Sequence, residues 1–175
     1  MTEAIVLGGG CFWCTETVMK RLRGVISVMS GYAGGNIQNP DYEQVSTGQT
    51  GHAEVIRVVF DPDQIGLETI LEVFFATHDP TTMNRQGADV GSQYRSIILF
   101  ADDKQREKIS EVIKRLRSSF DSPIVTEVKR LEKFYEAEEY HRNFYERNEG
   151  KPYCQVVINP KLAKLRAKFA DLLIK

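Results

Sequence analysis

The chain has 175 residues, 42% of them hydrophobic and 27% charged, with three cysteines and a formal net charge of −1. That length suits one domain spanning residues 1–175 with a real core, and the composition excludes a disordered or fibrous chain. Twenty-three basic against 24 acidic residues give no electrostatic ground for binding nucleic acid or an anionic membrane.

Glu3 stands where a leader would carry basic charge, and no apolar run approaches a membrane span. The expected location is therefore cytoplasmic, where thiols stay reduced and three cysteines point to catalysis, redox or metal more than to a structural disulfide. Glu3–Leu7 reads as a first strand, followed by the turn Gly8-Gly9-Gly10 and a helix over residues 12–23. Cys11 falls at the start of that helix. Free N–H groups and the positive end of the helix dipole favour an anion there, so this thiol is expected to ionise easily. Gly24 ends the helix and Val25–Met29 is a second strand.

Residues 33–52 are rich in Gly, Asn, Thr and Pro and read as a long loop carrying Tyr42. Residues 53–61 form a strand on which Glu54, Ile56, Val58 and Phe60 share one face. A helix follows, with Leu67, Ile70, Leu71, Phe74 and Phe75 as its apolar stripe and His78 extending it as a core histidine. Asp79-Pro80 stops it, and a second polar loop, residues 79–93, holds Asp89. The strand Tyr94–Ala101 completes a βαββαβ order, the ferredoxin-like arrangement of an antiparallel sheet with helices on one face. A helix opening at Asp102-Asp103, an edge strand over 124–131, a helix over 137–148, a connection holding Tyr153 and Cys154, and a last helix capped by Asn159-Pro160 complete an α+β fold with extra C-terminal helices.

The chemistry concentrates around Cys11. Phe12 and Trp13 are large rings beside it, although either suits a plain core position. A strand Glu usually reaches solvent. If Glu54 is buried with its apolar neighbours, desolvation raises its pKa and makes it a proton donor near neutral pH. The Lys and Arg of the third and last helices read as solvated faces. Three readings compete. One is thiol catalysis, with Cys11 attacking and Glu54 as acid. A second is a thioredoxin-type dithiol using Cys11-x-x-Cys14, which the strand order opposes. The third is a metal site on Cys11, Cys14, His52 or Cys154. His52-Ala53-Glu54 with a CxxC echoes the zinc deaminases, but in reversed order and without the proline, so no metal is expected. Gly8–Gly10 lacks the Lys-Ser/Thr of a phosphate loop.

Several motifs, taken together, resemble one family. They are Gly9-Gly10-Cys11-Phe12-Trp13, Gly31-Tyr32-Ala33-Gly34-Gly35, Pro40-x-Tyr42, Gly48-x-Thr50-Gly51-His52-Ala53-Glu54, His78-Asp79-Pro80-Thr81, the run from Asn84 through Asp89 to Ser96, and Phe134-x-x-Ala137-Glu138-x-Tyr140-His141. The chain is similar in these, from about Ile5 to Pro160, to the A-type peptide methionine sulfoxide reductases.

The resemblance implies reduction of methionine S-sulfoxide, free or in proteins, with thioredoxin or another dithiol as reductant and no cofactor; this is a repair activity against oxidative damage. It implies Cys11 as nucleophile, Phe12 and Trp13 as an apolar box for the substrate methyl, and Glu54 as acid. It further implies Tyr42 and Tyr94 as hydrogen-bonders to the sulfoxide oxygen, with Asp89 in the same network. Cys11 would become a sulfenic acid and then a disulfide. Position 14 is often Gly in this family and is Cys here. Cys154 matches a common resolving position, so resolution by Cys154 or by a relay through both is expected, with Cys14 alone as the alternative and a structural Cys14 as a further one. A monomer is expected.

Overall fold

The computed structural model describes residues 1–175. Eight strands and six α-helices alternate as β1 (Glu3–Gly8), α1 (Phe12–Met19), β2 (Val25–Ala33), α2 (Tyr42–Ser46), β3 (Ala53–Phe60), α3 (Leu67–Ala76), β4 (Arg85–Gln86), β5 (Asp89–Val90), β6 (Ile97–Phe100), α4 (Asp103–Leu116), β7 (Glu127–Arg130), β8 (Phe134–Glu136), α5 (Phe144–Asn148) and α6 (Asn159–Phe169). Six of the strands make one sheet in the order β7-β6-β1-β3-β2-β8. Its centre, β6-β1-β3-β2, is antiparallel throughout, which is the expected ferredoxin-like core. The edges are additions. β7 runs parallel to β6, and β8 pairs with β2 at Tyr32↔Tyr135.

Strand alternation sorts the core. Ile5 and Leu7 of β1 and Ile56, Val58 and Phe60 of β3 face the helices and join a large cluster with Phe12, Leu22, Ile70, Phe74 and Leu165. Val6, Val55, Ile97 and Leu99 face the other way, into a smaller cluster closed by Leu131 and Phe134. Because Glu54 lies two residues before Ile56, period two puts it on the helix-covered face, and it is 1% exposed.

Several elements differ from the sequence reading. α1 stops at Met19 rather than at residue 23. The long polar loop after β2 is interrupted by α2, a single turn closed by a reciprocal box: Gln44 N donates to Asp41 Oδ1 at 2.8 Å and Asp41 N donates to Gln44 Oε1 at 3.0 Å. The second loop contains the hairpin β4-β5. Tyr94 ends a short helical turn before β6 instead of opening the strand.

No continuous helix spans residues 137–148. Phe134–Glu136 is strand, Glu139–His141 is one tight turn, and Asn143 takes a left-handed backbone (φ 53°) before α5. Tertiary contacts override the helical pattern here. The Glu138 carboxylate accepts from Tyr32 Oη at 2.8 Å and from Tyr42 N at 2.9 Å, which pins that stretch to the sheet.

Cys154 is not in a connecting loop. It opens a widened helical turn, Cys154–Ile158, that runs directly into α6. Asn159 is therefore helical (φ −55°, ψ −42°) rather than a cap. The widening has a local cause: Pro160 offers no N–H and its ring collides with the preceding turn, so the helix expands ahead of it.

Candidate active site

The turn Gly8–Gly10 delivers Cys11 to the start of α1. Gly10 has φ +98°, and a side chain there would also meet Gln86 of β4. Cys11 is the residue before the helix, with extended backbone (ψ 130°), and the amide of Cys14 donates to its carbonyl at 3.0 Å. The two sulfurs thus straddle one turn of backbone.

Glu54 reaches Cys11 from below. Phe12 N, the first amide of α1, donates to Glu54 Oε1 at 3.1 Å. Glu54 Oε2 is buried with no hydrogen-bond partner, and the carboxyl lies within reach of the Cys11 thiol. Burial pushes the Glu54 carboxyl up to about 8, opposed by the Phe12 amide and reinforced by the charge of Asp89. Glu54 is a neutral acid at neutral pH, as the sequence predicted for a buried position.

The prediction for Cys11 was wrong in sign. Its thiol sits well above the usual range, because burial disfavours the thiolate and Glu54 and Cys14 push the same way. The helix-start amide of Trp13 does favour the anion but does not offset the desolvation. In the resting site both groups carry their protons.

The other candidates surround this pair. Tyr42 is pushed up to about 12 by burial and by the nearby Glu54 and Cys11, and Tyr94 is raised for the same reasons. Both are neutral hydroxyls in the field of Glu54 and Cys11. Phe12 is fully buried and packs on Tyr42 (centroids 6.5 Å apart) and His141 (4.9 Å). Trp13 stacks face to face on Phe144 at 3.7 Å, with the edge of Tyr153 against it. Its indole N–H donates to His141 Nδ1 at 3.0 Å, so the neutral His141 carries its proton on Nε2. Asp89 accepts from Tyr153 Oη at 2.8 Å.

The Cys14 sulfur meets Tyr153 Oη at 3.6 Å, and burial pushes its thiol up to about 11. Cys154 is fully buried, and its charge would raise Cys14 further. All three are free thiols. Cys11, Cys14, Asp89, Tyr153, Val157 and Lys161 line a cleft of about 380 Å³.

Three contributors escaped the sequence reading. His141 belongs to the aromatic cluster around Trp13 and not to a helix face. Glu138 fixes the N-terminal end of α2 and hence Tyr42. Lys161 is no solvated lysine: its ammonium donates to Thr77 O at 2.7 Å and its charge lowers the Cys14 thiol. His141 and Glu138 carried a signal in the motif around Tyr140; Lys161 carried none. His78 is as expected. It is neutral, its pKa lowered to about 4 by burial, and its ring nitrogens contact Phe74 O at 2.5 Å and Ser96 Oγ at 2.8 Å.

The family model for peptide methionine sulfoxide reductase matches residues 3–173. The chain belongs to the peptide methionine sulfoxide reductase family. It is 54% identical over 173 residues to the peptide methionine sulfoxide reductase MsrA of Trichodesmium erythraeum, covering 98% of each chain. It is 53% identical over 169 residues to the MsrA of Sulfolobus acidocaldarius, covering 97% of this chain and 96% of that one. Among solved structures it resembles reduced Mxr1 of Saccharomyces cerevisiae, with a TM-score of 0.82 and 32% identity over 87% of this chain and 89% of that one. It also resembles methionine sulfoxide reductase A of Corynebacterium diphtheriae, with a TM-score of 0.76 and 34% identity over 85% of this chain and 76% of that one. As a member of this family the protein is an oxidoreductase. No helix is long and apolar enough to cross a membrane.

Proposed function

We propose that the protein reduces methionine S-sulfoxide, free or within proteins, to methionine by attack of Cys11 on sulfur, and is recycled by thioredoxin or a similar dithiol. The observation that carries the reading is the partnerless Oε2 of a neutral Glu54 beside the Cys11 thiol. A sulfoxide sulfur is a poor electrophile until its oxygen takes a proton. Glu54 supplies that proton, and Tyr42 and Tyr94 hold the same oxygen by hydrogen bonds. The newly formed carboxylate then accepts the Cys11 proton, so the thiolate exists only when a substrate is in place. Attack joins the two sulfurs; as the protonated oxygen passes to Cys11, that sulfur–sulfur bond and the substrate's sulfur–oxygen bond both break. Methionine leaves two electrons richer and Cys11 becomes a sulfenic acid. Phe12 and Trp13 supply the apolar surface for the methyl group, with Phe144 now stacked on one face of Trp13.

Resolution runs as a relay. Cys14 condenses with the Cys11 sulfenic acid, releasing water and forming a disulfide. Cys154 then attacks the Cys14 sulfur, freeing Cys11 as a thiol, and the Cys14–Cys154 disulfide is reduced by the external dithiol. What supports this sequence is that Cys14 interacts with both other thiols, raising Cys11 and being raised by Cys154. Mxr1 has been solved in complex with Trx2, and the present fold matches that Mxr1 chain with a TM-score of 0.58 and 25% identity over 80% of this chain.

Disulfide mapping by mass spectrometry after one equivalent of methionine sulfoxide tests the relay. Wild-type protein is expected to yield Cys14–Cys154, and Cys154→Ser to yield Cys11–Cys14 with one methionine formed and no further turnover. A Cys11–Cys154 bridge in Cys14→Ser, formed as fast as the wild-type disulfide, would reject it.

A further inference from the structure

The proposed relay leaves one difficulty, and the structure supplies an answer resting on that reading. Cys14 must attack as a thiolate, yet a thiol pushed up to about 11 is ionised in only about one molecule in ten thousand at pH 7. The groups facing Cys14 come from four elements: Cys11 at the start of its own helix, Asp89 on β5, Tyr153 and Cys154 at the widened turn, and Lys161 on α6. Of these, Tyr153 touches the Cys14 sulfur, at 3.6 Å. Its hydroxyl proton is already committed, since Tyr153 Oη donates to Asp89 Oδ2 at 2.8 Å. The tyrosine oxygen therefore faces Cys14 as an acceptor, and the Cys14 S–H is the donor in that contact.

We propose that Tyr153 is a catalytic residue of the resolution step: through its hydroxyl the Cys14 proton passes to Asp89 as Cys14 attacks the Cys11 sulfenic acid. Tyr153 accepts the thiol proton and gives its own to the Asp89 carboxylate, so no tyrosinate forms. A sulfur–sulfur bond forms, the Cys11 sulfur–oxygen bond breaks, and the hydroxide that leaves takes up one proton to become water. The proton gained by Asp89 balances that last transfer. The Lys161 ammonium, anchored on Thr77 O at 2.7 Å in the wall of the same cleft, favours the developing Cys14 anion. Tyr153 immediately precedes Cys154, so the same contact holds the third thiol's segment against the pair until the first disulfide has formed.

The test separates the two half-reactions. Protein is mixed with one equivalent of methionine sulfoxide and no reductant between pH 6 and 9. Methionine release reports the first step, and trapping of the sulfenic acid with dimedone reports its lifetime. In Tyr153→Phe, which keeps the ring edge against Trp13, resolution should slow at least tenfold more than the first step at pH 7. It should also speed up about tenfold per pH unit, following preformed thiolate, where the wild-type rate is nearly flat. Asp89→Asn should reproduce that slope, and it carries the test if Tyr153→Phe does not fold. A normal resolution rate in Tyr153→Phe, or a slowing by one constant factor at every pH, overturns the proposal. Cys14→Ser distinguishes the two ideas. If its sulfenic acid persists while Tyr153→Phe resolves normally, the relay stands and the role of Tyr153 falls. If Cys14→Ser resolves at the wild-type rate, both fall.

Discussion

Glu54 shows how one buried carboxyl sets both chemistry and stability. Between pH about 4.5, where an exposed Glu titrates, and about 8, where Glu54 does, the unfolded chain loses this proton and the folded protein keeps it. Folding is therefore opposed increasingly as pH rises through that window, and the cost is fully present above it. Glu54→Gln carries no such cost and can still accept from the Phe12 amide. It should be more stable than wild type by about 3 kcal/mol at pH 7 and equal to it below pH about 4, as read from denaturant melts at the two pH values. The same variant should form sulfenic acid about 100- to 10,000-fold more slowly in single turnover with little change in substrate affinity. The wild-type rate itself should fall as pH rises through about 8, as the acid form is lost. An unchanged single-turnover rate in Glu54→Gln would remove Glu54 from the reaction.

At the scale of elements, the short α2 matters out of proportion to its length. It has one turn, so its end contacts hold it in place. Asp41 and Gln44 close its start, and Glu138 grips the Tyr42 amide from β8's end. Asp41→Ala should cost about 1 kcal/mol, the usual loss for a helix cap. The effect should be local. Hydrogen exchange over Tyr42–Ser46 should speed up and the first step should slow several-fold, while the melting temperature hardly moves. Loss of exchange protection with a normal first step would show that Tyr42 does not depend on this turn. The box was legible as Asp41-x-x-Gln44 but was hidden among Gly and Pro in a stretch without periodicity. The helix expected over 137–148 is the opposite case. Its residues are good helix formers, but Glu138 and His141 are claimed by Tyr32, Tyr42 and Trp13, and those bonds are incompatible with one continuous helix.

Over the whole molecule, the C-terminal tail is tied back to the segment that follows α1. Arg23 N donates to Leu172 O at 2.8 Å and Ile174 N donates to Arg21 O at 2.9 Å, just past the end of α1. Leu172 and Leu173 pack against the main core. Removing residues 170–175 should cost about 3 kcal/mol, from two backbone hydrogen bonds and two partly buried leucines, measurable as a lower denaturant midpoint. A truncated protein as stable as the full chain would show the tail to be an ornament. The exposed ion pairs that link α3 to α4, Lys108–Glu68 and Arg115–Glu72, should each contribute far less.

The sequence by itself determined the βαββαβ order of the antiparallel core, the family and the place of Cys11 at a helix start, because these follow from local periodicity, glycine turns and adjacent motifs. Period two along β3 even aimed Glu54 at the core. Tertiary structure alone decided whether that face was sealed, and hence that Glu54 keeps its proton. Sealing depends on residues such as Phe12, Tyr42 and Tyr94, which lie far apart in the chain. The same burial reversed the expectation for Cys11. Helix-start amides are visible in a sequence, but the desolvation that outweighs them belongs to the packed molecule. The setting of Cys154 was likewise invisible, since a proline-widened helix, not a loop, carries it into the core.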